Sequence, residues 1–394
     1  MLKNAMNLKD ELIRIRRDIH KHPELGFQEF RTAALVSETL EEIGLKPQNG
    51  VGRTGVVADI GLGDGPMIAL RADMDALPIH EQNNVPYRSE NDGVMHACGH
   101  DAHTAMLLGA AHLLKQSLAK DEWQGKVRLL FQPSEESFDE DGISGASAMI
   151  SDDALEGVDA AVALHVISDL PAGICYYDDG FSLASVDAFK AWIRAEGGHG
   201  AYPHNGYDPL AMLGPILHAI YAIPSRRINP LRRSVVSLGQ IHGGSASNVI
   251  PREVFLEGTI RSFEKEVREQ LWVEVENALK MSESMGGAYE LQIQKGYPAM
   301  INSIEVNGWI RSVAGDLIGD DRLEEMEFGM GSEDFAYMTS AVNGAMFMLG
   351  AAVGPEDKRY HHTDTFDIDE GILPEGAAIL AETARRFVTG EFSS

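Results

Sequence analysis

Met67-Ile68-Ala69-Leu70-Arg71-Ala72-Asp73-Met74-Asp75-Ala76-Leu77-Pro78 is an apolar run that ends in two carboxylates. The run through Ala72 reads as a strand, and carboxylates at i and i+2 of an extended segment share a face. Two further runs end in the same way. Lys126–Gln132 leads into Pro133-Ser134-Glu135-Glu136, and Asp159–Leu164 leads into His165. Apolar strands that alternate with helical segments specify a mostly parallel sheet covered on both sides. In such sheets ligands bind beyond the carboxyl ends of the strands. Three strand ends carrying Asp73/Asp75, Glu135/Glu136 and His165 therefore mark one candidate site.

A fourth stretch supplies softer donors. Met95-His96-Ala97-Cys98-Gly99-His100-Asp101-Ala102-His103 places a thiol, three imidazoles and a carboxylate just before an apolar helical run that extends to about Lys120. Gly99 lets the backbone bend, so that Cys98 and His100 can aim at one point. Thiolate and imidazole together suit first-row divalent metals. Upstream, residues 8–21 and 29–43 carry helical apolar spacing, separated by His22-Pro23-Glu24-Leu25-Gly26. His20 and His22 read as packing or hydrogen-bonding groups.

Beyond residue 181 the pattern changes. Val186–Ala195, Ser234–Ile241, Val254–Ile260 and Tyr289–Tyr297 read as strands, the first three alternating like half-exposed ones; Asp208–Ile223 and Glu264–Met285 are amphipathic helices. This is an α+β unit of four strands and two helices. We read it as an inserted lid or dimerisation domain, residues 181–297, between two parts of a metal-binding catalytic domain, 1–180 and 298–394. The last part holds helix Val306–Ile318, the segment Gly329–Phe335, strand Ala345–Gly350, a loop with His361 and His362, and a closing helix from Leu373.

Composition narrows the function. The 394 residues exceed one ordinary core, consistent with two domains. With 33 Lys and Arg against 60 Asp and Glu, the net charge is −27. Nucleic-acid binding needs a basic surface and is excluded as the expectation. Two cysteines, Cys98 and Cys175, cannot build a disulfide scaffold. Cys175 reads as structural. The first 20 residues lack the apolar core of a signal peptide, and no apolar run is long enough to span a bilayer. We expect a cytoplasmic protein with no membrane partner.

Six blocks, taken in order, carry a family resemblance: Arg71–Pro78, Met95–His103, Phe131–Glu136, Gly197-Gly198-His199-Gly200-Ala201-Tyr202-Pro203-His204, Ser247-Asn248-Val249-Ile250-Pro251 and Gly331-Ser332-Glu333-Asp334-Phe335. The chain resembles the amidohydrolase branch of the aminoacylase and carboxypeptidase metallopeptidases, which includes hippurate hydrolases, N-acyl-amino-acid amidohydrolases and auxin-conjugate hydrolases. The resemblance implies two divalent metal ions (zinc, manganese, cobalt or nickel) held by Cys98, His100, Glu136, His165 and His362. His362 is preferred to His361 because the family's histidine lies four residues before an aromatic, here Phe366; Asp364 stands where the family usually has Pro. Glu135 matches the catalytic carboxylate and Asp75 the acid that orients the metal cluster. Asp73 takes the place of a histidine ligand used in other branches.

The resemblance also makes His199 the donor to the oxyanion, reaching a partner subunit's site, with His204 as the competing candidate. That implies a homodimer built through the small domain. Asn248 and Arg261 match positions that hold the substrate's α-carboxylate; read from its strand alone, Arg261 serves equally well as a surface ion-pair residue. The expected activity is hydrolysis of N-acyl-L-amino acids. A carboxypeptidase or dipeptidase on the same scaffold, a non-catalytic binding protein and a metal-independent Cys98 hydrolase are the competing readings.

Overall fold

The computed structural model describes residues 1–121, 123–354, 357 and 359–392. The chain separates into two compact units. One comprises Met1–Ser182, Ile301–Glu327 and Asp334–Ser394, the other Leu183–Met300 and Phe328–Glu333.

The larger unit is organised by an eight-stranded sheet. Its order is Gln48–Val51, Gly55–Gly61, Lys126–Gln132, Met67–Asp73, Ala160–Ile167, Asn343–Gly350, Cys175–Tyr177 and Leu323–Glu325. The four central strands run parallel. Antiparallel pairings join Gly55–Gly61 and Cys175–Tyr177 to this centre. Met67–Asp73 is buried at every residue, as a central strand covered on both faces requires, with Arg71 and Asp73 paired to each other at its end. Helices His100–Leu118 and Leu373–Val388 pack on each other and on the sheet. Met106, Leu107, Leu164, Leu349 and Ala377 sit in the shared apolar cluster. The parallel strands thus present their carboxyl ends together, at Asp73, Gln132 and Ile167.

The strand that starts at Ala160 continues to Ile167, so His165 lies inside it. Its parallel ladder with Asn343–Gly350 carries the pairing past His165, which faces Met348. Cys175 is fully buried in the sheet, where burial pushes its thiol up to about 12. It is structural.

The smaller unit holds a four-stranded antiparallel sheet in the order Ser234–Gly243, Glu253–Ser262, Ser185–Arg194 and Ala288–Lys295. Buried and half-exposed residues alternate strictly along Glu253–Ser262. Its buried face, with Phe189, Ala191 and Ile193 opposite, meets Ile216 and Ile220 of helix Pro209–Arg226 and Leu271 and Val275 of helix Lys265–Ser284. Asp208 caps the first helix by accepting the Leu210 N–H.

Six residues downstream of the insertion, Phe328–Glu333, group with the smaller unit, whereas the sequence reading kept all of 298–394 with the larger. Local bonds explain the difference. Ala184 donates to the Gly331 carbonyl, Leu183 bridges to Gly329, and the Arg261 guanidinium donates to Ser332 Oγ at 2.8 Å. No helix among the described residues is long and apolar enough to cross a membrane.

Candidate metal centre

Gly99 begins the site. It precedes helix His100–Leu118 with φ 93°, a left-handed conformation that costs glycine little. A Cβ there would lie 2.4 Å from Val166 Cγ2. This turn puts Cys98 and His100 on the side of the Ala160–Ile167 strand, and Cys98 Sγ comes to 3.5 Å from His165 Nε2.

His100 is fastened through one nitrogen only. Nδ1 lies 2.8 Å from the Asp75 carbonyl and 3.2 Å from Asp75 Oδ1. Nε2 is buried without a hydrogen-bond partner. It sits 3.7 Å from Asp73 Oδ2 and 3.9 Å from Glu136 Oε1. Nδ1 donating to a carboxylate and carbonyl leaves the Nε2 lone pair free, as a metal-ligating imidazole needs. His165 repeats the arrangement, with Nδ1 at 2.7 Å from the Val166 carbonyl and Nε2 turned to Cys98.

The Pro133–Glu136 turn sends its two acids apart. Glu136 Oε1 faces His362 Nε2 at 3.0 Å, while the Glu136 backbone N–H donates to Asp75 Oδ2 at 3.0 Å. Glu135 is buried, and its Oε1 accepts the Asp334 backbone N–H at 3.4 Å. His362 holds φ 58°, and its N–H donates to the Ala97 carbonyl. His361 turns away: its Nε2 accepts the Ser168 N–H at 3.2 Å.

Charge in the cluster is unbalanced. Burial and the Glu136, Glu135 and Asp73 carboxylates push the Cys98 thiol well above its ordinary value. Burial opposes a charge on His100, but Asp73, Asp75 and Glu136 outweigh it and raise the ring to about 10. Burial, His103 and His361 hold His165 well below its ordinary value, which keeps it neutral. A hydrogen bond donated to the Glu136 carboxylate raises His362. A divalent cation inverts this logic, because it deprotonates a thiol and neutral imidazoles coordinate it.

The donor atoms group accordingly. Cys98, His100 and His165 offer ligand atoms within 4.8 Å of one another, and so do Cys98, Glu136 and His362; the two triads share the thiol. His100, Glu135 and Glu136 form a third such group, and Asp73, His100 and His103 a fourth. The residues present fit a pair of divalent ions by donor type and by spacing.

Further residues support this floor. Asp73 is held by His103 Nδ1 at 2.6 Å and by Arg71 at 2.7 Å. Burial raises its pKa, but His100, His103 and Arg71 together hold it well below the carboxylate range. His103 Nε2 accepts the Val166 N–H. Arg71 and Gln132 both reach Asp334 Oδ1, at 3.0 and 2.8 Å. His103, Arg71 and Asp334 carry no sequence signal of this role, although His103 and Arg71 adjoin the strand-end and Cys-Gly-His donors and Asp334 lies in Gly331–Phe335. His20 belongs to a separate buried network, 2.7 Å from Asp101 and 3.3 Å from Glu81, with the fully buried Arg16 also on Asp101.

In the smaller unit, His199 is exposed on a two-residue strand paired with Val249–Ile250. Its Nδ1 accepts the Ala201 N–H at 3.1 Å, so the neutral ring carries its proton on Nε2. Asn248 is exposed beside it, its carbonyl accepting the Gly200 N–H. His204 is exposed near Tyr202. Arg261 lies within strand Glu253–Ser262, half-buried, and burial lowers its pKa against the pull of Asp187.

Comparison with known proteins gives a consistent set of likenesses. Residues 69–386 match the model of peptidase family M20/M25/M40. The chain is 39% identical over 392 residues to the N-acetyl-L-cysteine deacetylase of Bacillus subtilis (strain 168), covering 98% of this chain and 90% of that protein. It is 38% identical to thermostable carboxypeptidase 2 of Saccharolobus solfataricus, covering 98% of each. A crystal structure of a dinuclear metal-binding M20 peptidase from Bacillus subtilis superposes with a TM-score of 0.83 at 33% identity, covering 97% of this chain and 99% of that one.

Proposed function

The chain belongs to peptidase family M20/M25/M40, and we propose that it is a metal-dependent amidohydrolase that cleaves N-acyl-L-amino acids to a carboxylic acid and a free amino acid. The observation that carries this reading is the pair of donor triads meeting at Cys98. In it, Cys98, His100, Glu136, His165 and His362 hold two divalent ions. Such ions supply Lewis-acid charge that acidifies water and polarises an amide carbonyl.

The chain's own residues do the rest. Asp75 orients His100 and anchors the Glu136 backbone. Glu135 takes a proton from the attacking water and returns it to the leaving nitrogen, a general-base role followed by a general-acid one. His199 donates its Nε2–H to the developing oxyanion from the second copy of a homodimer. Arg261 and Asn248 hold the substrate carboxylate, the guanidinium supplying paired donors that an acidic protein needs for an anionic substrate.

The similarity to an N-acetyl-L-cysteine deacetylase supports the N-acyl substrate. The similarity to a carboxypeptidase favours a second reading, in which short peptides are cleaved at the same site. The deciding experiment strips the protein with chelator and restores zinc, manganese, cobalt or nickel. Each form is assayed on hippurate, N-acetyl amino acids and dipeptides. Metal-dependent turnover of the N-acyl substrates is the expected result. Preference for dipeptides selects the second reading, and full activity after chelation overturns both.

A further inference from the structure

The segment Pro23–Glu29 has no part in the chemistry above, yet it is built against the turn that carries Glu135 and Glu136. Glu24 caps helix Phe30–Glu42 by accepting the Arg31 and Thr32 N–H groups, and its own carbonyl accepts the Ala76 N–H, next to Asp75. Gly26 lies so close to the turn that a Cβ there would stand 2.4 Å from Ser134 Oγ and 2.5 Å from Ser137 Oγ. Three residues on, Glu29 immediately precedes helix Phe30–Glu42, and its carboxyl is fully buried.

Its contacts are specific. Glu29 Oε1 accepts the Ser134 N–H at 2.8 Å and the Phe27 N–H at 3.0 Å, and Oε2 accepts the Thr54 hydroxyl. Ser134 itself has φ 43°, a left-handed conformation that L-residues avoid unless their surroundings enforce it. Every polar group of Ser134 is engaged. Its N–H goes to Glu29, its carbonyl accepts the Gly145 N–H at 2.9 Å, and its hydroxyl donates to the Ser137 carbonyl at 3.1 Å. The next two residues diverge, Glu135 towards the Asp334 N–H and Glu136 towards His362 and Asp75.

We propose that Glu29 is a positioning residue: by accepting the Ser134 N–H it holds Ser134 in the left-handed conformation that sends the adjacent Glu135 and Glu136 to different partners. The roles of those two acids are taken from the amidohydrolase reading; the backbone geometry stands apart from it. A replacement that removes the acceptor lets Ser134 relax to negative φ. Both acids then swing together, so that proton transfer and ion affinity fall jointly.

The test compares wild type, Glu29→Gln, Glu29→Ala and the double variant Glu29→Ala/Ser134→Gly, each loaded with manganese or zinc. Turnover of an N-acetyl amino acid is measured, together with ion affinity by competition with a chromogenic chelator. Glu29→Gln keeps an acceptor oxygen and stays within about threefold of wild type. Glu29→Ala loses about 30–100-fold in kcat with KM little changed, and binds ions at least about fivefold more weakly. Ser134→Gly restores at least about fivefold of both losses, because glycine takes positive φ without help. A merely structural defect is not relieved by that second change.

The inference is overturned if Glu29→Ala matches wild type in both measurements, or if its losses persist undiminished in the double variant. Should Glu29→Ala not accumulate as folded protein, Glu29→Asp, whose carboxylate is one methylene too short, carries the same comparison. If wild type lacks metal-dependent hydrolysis altogether, the proposed function fails. Ion affinity and a crystal structure reading φ at residue 134 then decide the role of Glu29 on their own.

Discussion

Asp75 Oδ2 accepts the backbone N–H of Glu136 at 3.0 Å, while its Oδ1 and carbonyl face His100 Nδ1. One carboxylate thus ties together two donors that the sequence places 36 positions apart. Removing the side chain leaves the His100 ring held by the residue-75 carbonyl alone and takes the acceptor from the Glu136 N–H. Partners of this kind typically matter by about 10–100-fold in metal affinity or activity. Asp75→Ala is expected to weaken ion binding by about that factor, measured by chelator competition, with Asp75→Asn less affected because its oxygen can still accept. Unchanged affinity in Asp75→Ala would mean that the backbone carbonyl alone orients His100 and that the Asp75 carboxylate does not position the donors.

Glu135 lies in the same turn as Glu136 but answers to Asp334 instead. A positioned acid–base group contributes about 10²–10⁴-fold. Glu135→Gln should therefore lose turnover on that scale while retaining its metal, as read by single-turnover kinetics beside metal analysis. Activity within tenfold of wild type assigns the proton transfer elsewhere.

Cys98 is shared by both donor triads. Its thiol is buried and pushed up by burial and by the Glu136 and Glu135 carboxylates, the opposite of the environment that activates a free nucleophilic cysteine. Cys98→Ala is expected to lower the ion count below two per chain. With cobalt, it should also remove the sulfur-to-metal charge-transfer absorption in the near ultraviolet. Full occupancy with an unaltered cobalt spectrum rules Cys98 out as a ligand.

Much of this site is legible in the sequence because its donors sit where apolar strands stop or a glycine turn begins. Asp73, Asp75, Glu135 and Glu136 follow mostly apolar runs, and Cys98 and His100 flank Gly99. The strand past His165 is not legible in the same way: a polar residue looks like a strand end until a neighbouring ladder continues through it. Gln48–Val51, Cys175–Tyr177 and Leu323–Glu325 are too short to display a period. Nor does any local pattern announce that Glu29 will meet Ser134, 105 positions away. That pairing is set by the path of the chain, and its trace in the sequence, Gly26 three residues earlier, has no meaning until the turn it abuts is known.

Arg261 tests the substrate class. Its Nη1 donates to Ser332 Oγ, and Ser185–Arg194 and Ser234–Gly243 pair on either side of its strand. A charge-assisted pair with a carboxylate contributes about 1.5–3 kcal/mol. Arg261→Ala should raise KM for an N-acyl amino acid by about 10–100-fold, and change it little for the corresponding N-acyl amino amide. Equal effects on both substrates make Arg261 a structural residue of the sheet.

Glu29 adds a signature in stability. Burial, reinforced by the Asp75 carboxylate, raises its carboxyl from 4.5 to about 7, and the hydrogen bonds from Thr54 and Ser134 offset only part of that. The folded protein therefore holds a proton that the unfolded chain has already released above pH 4.5. Stability on this account is complete below about pH 4.5, declines as the pH rises, and is fully lost once the pH passes about 7. The rise corresponds to roughly 3 kcal/mol at most. Glu29→Gln is uncharged at every pH and lacks this decline. Urea unfolding of both proteins at pH 5 and pH 8 isolates it: the stability of wild type relative to Glu29→Gln should fall between the two, with unchanged m-values. A difference that does not vary with pH means that Glu29 stays ionised throughout, and that the Ser134 turn is held by a permanent carboxylate.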